Sequence, residues 1–124
     1  MSFRSILTEI VQECGGGIGA VLMGADGIPI EEVVLGPVPD GALQDDFGTA
    51  GVEFGRILDE IRKASDSLEG GAVEETVVCL SQMSLVFRPV DEETFLALVV
   101  TPDGNLGKAR YLLRRHLLAI RQEL

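Results

Sequence analysis

Between Asp40 and Leu68 the apolar residues Leu43, Phe47, Ala50, Phe54, Ile57, Leu58, Ile61, Ala64 and Leu68 recur in steps of three and four. That spacing puts one apolar stripe along a long helix. No other feature constrains the fold as much, because such a stripe is stable only against a sheet or another helix. Asp40 is placed to cap the helix and Gly70-Gly71 to stop it. Beside the stripe lie Gly48, Gly51 and Gly55. Each costs about 0.5–1 kcal/mol of helix stability relative to Ala, so three in one helix need a reason. Together they form a flat ridge that lets a second backbone come close. Either the helix lies low on its own sheet, or the ridge packs against a symmetric copy. The strands favour the copy.

Before this helix, Phe3, Ile6, Leu7, Ile10 and Val11 predict a first helix over Phe3–Cys14, closed by Gly15-Gly16-Gly17. The run 15–20 formally fits a dinucleotide fingerprint. It follows a helix and precedes a strand, the reverse of the order a phosphate loop needs. An apolar strand over 19–24, a turn at Ala25-Asp26-Gly27 and a return strand over 28–34 make a hairpin. Pro29, Glu31 and Glu32 mark the return strand as an edge. After the long helix, strands over 76–81, 83–89 and 94–101 form an antiparallel meander. Asn105 then caps a final helix that buries Leu106, Ala109, Leu113, Leu117, Ile120 and Leu124.

The fold class predicted is α+β: a five-stranded antiparallel sheet covered by helices on both faces, in the order α-β-β-α-β-β-β-α, as one domain spanning 1–124. Strands 19–24 and 94–101 carry no charge and should be central and adjacent. The 28–34 and 76–81 strands become the two rims. The second rim is also uncharged, and a bare apolar edge invites another chain. Val77, Val78 and Cys79, with the glycine ridge, are therefore the expected dimer interface. The side of the long helix opposite its stripe presents Asp45, Val52, Arg56, Asp59 and Lys63. It is either a solvated face or a platform for a partner.

A net charge of −10 argues against nucleic acid or an anionic membrane as partner. Residues 105–124 carry five basic residues against Glu123, a net of +4, so residues 1–104 hold −14. The basic end reads as a solvated helix face, with a docking stripe as the alternative. No apolar run approaches the ~20 residues of a membrane helix, and the N-terminus lacks the basic-then-apolar pattern of a signal peptide. A cytoplasmic location is expected. Cys14 and Cys79 then read as buried, unpaired small hydrophobes. His116, the single histidine, has no Ser or Cys nucleophile and no metal-ligand spacing around it. It reads as a satisfied helix histidine. No catalytic, cofactor or metal residue is predicted.

Residues 18–32, with Asp26-Gly27 at the turn, resemble the first hairpin of the Roadblock family, related to the dynein light chain of that name. Residues 105–115, Asn-Leu-Gly-Lys-Ala-Arg-Tyr-Leu-Leu-Arg-Arg, resemble its closing helix, and the glycine-bearing middle helix matches too. The stiff 36–39 loop and Lys108, where an apolar residue is expected, depart from the pattern. The resemblance implies a Roadblock/longin-like homodimer that joins two five-stranded sheets and lays the middle helices side by side. Bacterial members similar to mutual gliding-motility protein B bind a small Ras-like GTPase and raise its GTP hydrolysis without supplying catalytic residues. On that resemblance the GTPase docks on Asp45, Val52, Arg56, Asp59 and Lys63. A dimeric scaffold with no effect on GTP turnover is the alternative. A small-molecule sensor, which a large pocket would favour, is a third.

Overall fold

A computed structural model of the chain describes residues 2–36 and 47–124, the side chains of 47–49 excepted. Its elements are α1 (Phe3–Glu13), β1 (Gly17–Gly24), β2 (Pro29–Val34), α2 (Phe47–Leu68), β3 (Thr76–Cys79), β4 (Ser84–Pro89), β5 (Thr94–Val100) and α3 (Leu106–Glu123). Element order and kind are those predicted. Ser2 caps α1 by accepting from the Ser5 amide, and Asn105 caps α3 by accepting from the Lys108 amide at 2.9 Å. The glycine run after α1 serves packing: Gly15 and Gly16 carbonyls accept from Asn105 and Thr101 amides, tying the loop to the turn before α3. Asp40, Leu43, Asp45 and the 37–39 loop lie outside the described residues, as does the packing around Gly48.

The sheet is antiparallel throughout, in the order β2-β1-β5-β4-β3. The two uncharged strands are adjacent at its centre and the two predicted rims are its rims. Pleat alternation then sorts the side chains. Ala20, Leu22, Val86, Leu96, Leu98 and Val100 face an apolar core with α1 and α3. That layer is deep: Ile6, Leu7, Ile10, Leu112, Leu113 and Ile120 are fully buried. Truncating any of these leucines to Ala costs about 2–5 kcal/mol.

The opposite face carries Ile18, Val21, Met23, Leu85, Phe87, Phe95, Ala97 and Val99, against which Phe54 and Leu58 of α2 pack. Topology requires a long element here. The chain leaves the sheet at β2 and re-enters at β3, four strand spacings or about 19 Å away. A 22-residue helix is about 33 Å long and spans that distance. No helix among the described residues is long and apolar enough to cross a membrane.

Candidate docking surfaces

Gly51 and Gly55 are buried, and both face their own hairpin. A Cβ on Gly51 would sit 2.5 Å from Sδ and Cε of Met23 and 2.8 Å from the Gly27 carbonyl oxygen. One on Gly55 would sit 3.1 Å from the Ala25 carbonyl oxygen. The turn itself needs Gly27, whose φ of +86° is open to glycine alone at little cost. The close approach that the glycines permit is therefore within the chain, between α2 and the β1–β2 turn. This corrects the expectation that Gly51 and Gly55 meet a second copy.

The apolar stripe of α2 is also divided. Phe54 lies over Phe87, ring centroids 4.9 Å apart, and Leu58 packs beside it. Ile57 is 50% exposed, Leu68 is 81% exposed and Ala64 is exposed, against the expectation that all three are buried. At 100° per residue, Ile57, Ile61, Ala64 and Leu68 form one flank, turned from the sheet beyond Phe54. At the rim of the sheet β3 presents its outer edge, with Val77 and Leu80 half exposed and Val78 turned inward. Cys79 is exposed, not buried as expected, because it closes an edge strand whose outer neighbour is missing within the chain. Cys14 is buried, and burial pushes its thiol pKa up.

Val52, Arg56, Asp59 and Lys63 are exposed on the other flank of α2. All four border a groove of about 910 Å³ between α2 and the β4–β5 turn. Its wall includes Phe87 and Phe95, a part of the site that periodicity on one helix does not reveal. The charges on the rim are already paired along the helix. Arg62 donates to Asp59 at 2.8 Å, and Lys63 lies 3.2 Å from Glu60 and 3.5 Å from Asp59. The Arg62 hydrogen bond holds the Asp59 carboxyl below its usual value, and the Glu60 hydrogen bond raises Lys63. Arg56 is held more loosely, 3.7 Å from Glu53. Pairs this exposed add little stability, so a partner can exchange them cheaply.

The basic end of the chain is less available than its charge implied. Arg110 donates to Glu75 at 2.9 Å, and Arg121 donates to the Val90 carbonyl at 2.7 Å. The Arg110 hydrogen bond lowers the Glu75 pKa against some desolvation, with the charges of Arg110, Arg88 and Arg114 adding to it. Glu75 thus ties the approach to β3 onto α3. His116 is buried, its Nδ1 2.8 Å from the Leu112 carbonyl oxygen.

A five-stranded antiparallel sheet with two helices on one face and one long crossing helix on the other is the Roadblock architecture, and the chain belongs to the Roadblock/LC7 family. It is similar to MglC from Myxococcus xanthus, with 35% identity over the full length of both chains and a TM-score of 0.69. A Roadblock/LC7 domain from Streptomyces avermitilis superposes with a TM-score of 0.83 at 20% identity, over 98% of this chain and 97% of the other. The gliding protein MglB from Thermus thermophilus gives 0.82 at 20% identity, over 97% and 86%. By sequence the chain matches no protein-family model and no curated protein.

Proposed function

We propose that the chain acts in the cytoplasm as a homodimeric docking partner of a small Ras-like GTPase, orienting the GTPase's own groups and adding no catalytic residue. The observation that carries this is the meeting of Val52, Arg56, Asp59 and Lys63 on the rim of one groove with aromatic walls. An apolar centre ringed by charge is what protein partners select. The open flank of α2 and the free edge of β3 support self-association. Strand pairing along the edge would extend the sheet into a second copy, and covering Ile57 and Leu68 would bury exposed apolar surface.

In a titration with the GTP-loaded GTPase, Val52→Asp and Arg56→Glu should each weaken binding while light scattering still reports a dimer. One GTPase should bind per dimer, since a two-fold axis offers overlapping copies of one patch. Binding indifferent to both substitutions would move the docking site elsewhere. Intact binding with unchanged GTP turnover would identify a scaffold instead. The size of the groove favours a second reading, a sensor of a small apolar ligand. A ligand that competes with the GTPase and protects the Phe87 region from hydrogen exchange would select it.

A further inference from the structure

Glu9 and Glu13 lie one turn apart on α1, and α3 brings His116 against them. One donor atom from each of the three falls within 4.8 Å of the others. The histidine is prepared for this contact. Its side chain is 10% exposed, and its Nδ1 faces a carbonyl oxygen that can only accept. Nδ1 therefore carries a proton, and in the neutral ring Nε2 presents its lone pair toward the carboxylates. Nε2 stands 3.7 Å from Glu9 Oε2, beyond hydrogen-bond length, and has no hydrogen-bond partner among the described residues.

We propose that Glu9, Glu13 and His116 form a binding site for a divalent transition-metal ion, with one imidazole nitrogen, two carboxylate oxygens and water completing the sphere. A tetrahedral ion with ligands at about 2.1 Å needs donors about 3.4 Å apart. The His116–Glu9 pair is within a few tenths of an ångström of that. Glu13 is exposed and its side chain can swing to close the third side. An imidazole donor selects zinc and its neighbours over calcium or magnesium, and the Leu112 carbonyl supplies the outer hydrogen bond that orients a ligating histidine. The ion would clasp α1 to α3, on the face of the sheet opposite α2. Its test reads zinc alone and does not rest on GTPase docking. No local motif announces it, because its ligands come from opposite ends of the chain.

The test is zinc chloride titrated into the metal-stripped full chain against a chromogenic chelator, in a Cys79→Ser background that removes the exposed thiol. One ion per chain should bind and raise the melting temperature. Glu13→Gln and His116→Gln should each weaken binding by about tenfold or more. Glu13 is exposed, so Glu13→Gln should melt like the parent in chelator, which keeps the test valid if His116→Gln folds poorly. Zinc that leaves the melting temperature unchanged, or that binds both variants as well as the parent, overturns the site. So does a melting temperature that depends on His116 but not on zinc, which would leave a Glu9–His116 ion pair in its place.

Discussion

Replacing Gly51 by alanine sets two effects of similar size against each other. Alanine in a helix interior gains about 1 kcal/mol over glycine. At Gly51 the new Cβ must enter space held by Met23 Sδ and Cε at 2.5 Å and by the Gly27 carbonyl oxygen at 2.8 Å. Met23 is 2% exposed and packed in the lower core, so its thioether has little room to retreat, and the Gly27 oxygen is backbone. Overpacking of this kind costs about 1–3 kcal/mol. The expected net is a loss of about 1 kcal/mol, or a fall of about 4 °C in melting temperature for a chain of this size. Gly55→Ala brings the same propensity gain against a single contact at 3.1 Å, so it should be neutral or slightly stabilising. Urea unfolding at two protein concentrations separates the two uses of the ridge. If Gly51 faces its own hairpin, the loss appears equally at both concentrations. If it faces a second copy, the dimer dissociation constant changes and the monomer's stability does not. The second pattern, or a Gly51→Ala variant as stable as Gly55→Ala, refutes the packing argument.

Cys79 should label quickly with a thiol reagent in the native protein, at concentrations low enough to dissociate a dimer, while Cys14 labels only on unfolding; two slow thiols would contradict the exposed β3 end. Glu75 has its folded pKa depressed below the ordinary 4.5, chiefly by the Arg110 hydrogen bond. Its stabilising contribution is therefore complete above that value and is lost as the pH falls through the lower folded value. Melting curves below about pH 5 should show a shallower acid dependence in Glu75→Gln than in the parent. Asp91 Oδ1 accepts from the Glu93 amide and from the Thr94 amide and hydroxyl, fixing the β4–β5 turn. Asp91→Ala should cost about 1 kcal/mol in urea unfolding, and no change would show that the turn holds without it.

The two central strands were legible because a strand covered on both faces carries charge only at a cost, although β4 holds Arg88 and the β3 rim holds none. Residues 19–24 and 94–101 have none, whereas Pro29, Glu31 and Glu32 exclude their strand from the centre. The cap of the last helix was legible for a similar local reason, as Asn105 shows. What periodicity lacks is the identity of the surface opposite. It placed Gly51 and Gly55 beside the stripe of α2, but only tertiary structure reveals that Gly27 is their neighbour. It counted Ile57 and Leu68 as core, since a stripe on a crossing helix is wider than the part of it that meets the sheet. Cys79 misled for the same reason, being apolar in pattern but last on an edge strand. The groove lay beyond the reach of any local pattern because its walls come from α2, the β1–β2 and β4–β5 turns and α3 together.

The three sides of α2 carry a consequence for coupling. Gly51, Gly55, Phe54 and Leu58 hold the helix to the hairpin and sheet, while Ile57, Ile61, Ala64 and Leu68 form a flank turned from them. Val52, Arg56, Asp59 and Lys63 border the groove. Among its described residues α2 rests on two large side chains and two glycines, a narrower hold than that of α1 or α3, whose apolar faces pack into the deeper core. A partner pressing into the groove would then move α2 as a rigid rod over its glycine pivot, and the far flank would move with it. Binding in the proposed groove and pairing on the proposed dimer flank are thus two loads on one lever. By linkage, any effect of the GTPase on dimer affinity must be matched by an equal effect of dimerisation on GTPase affinity. The sign of that coupling is set by whether the bound position of α2 leaves Ile57 and Leu68 more or less open to a second copy.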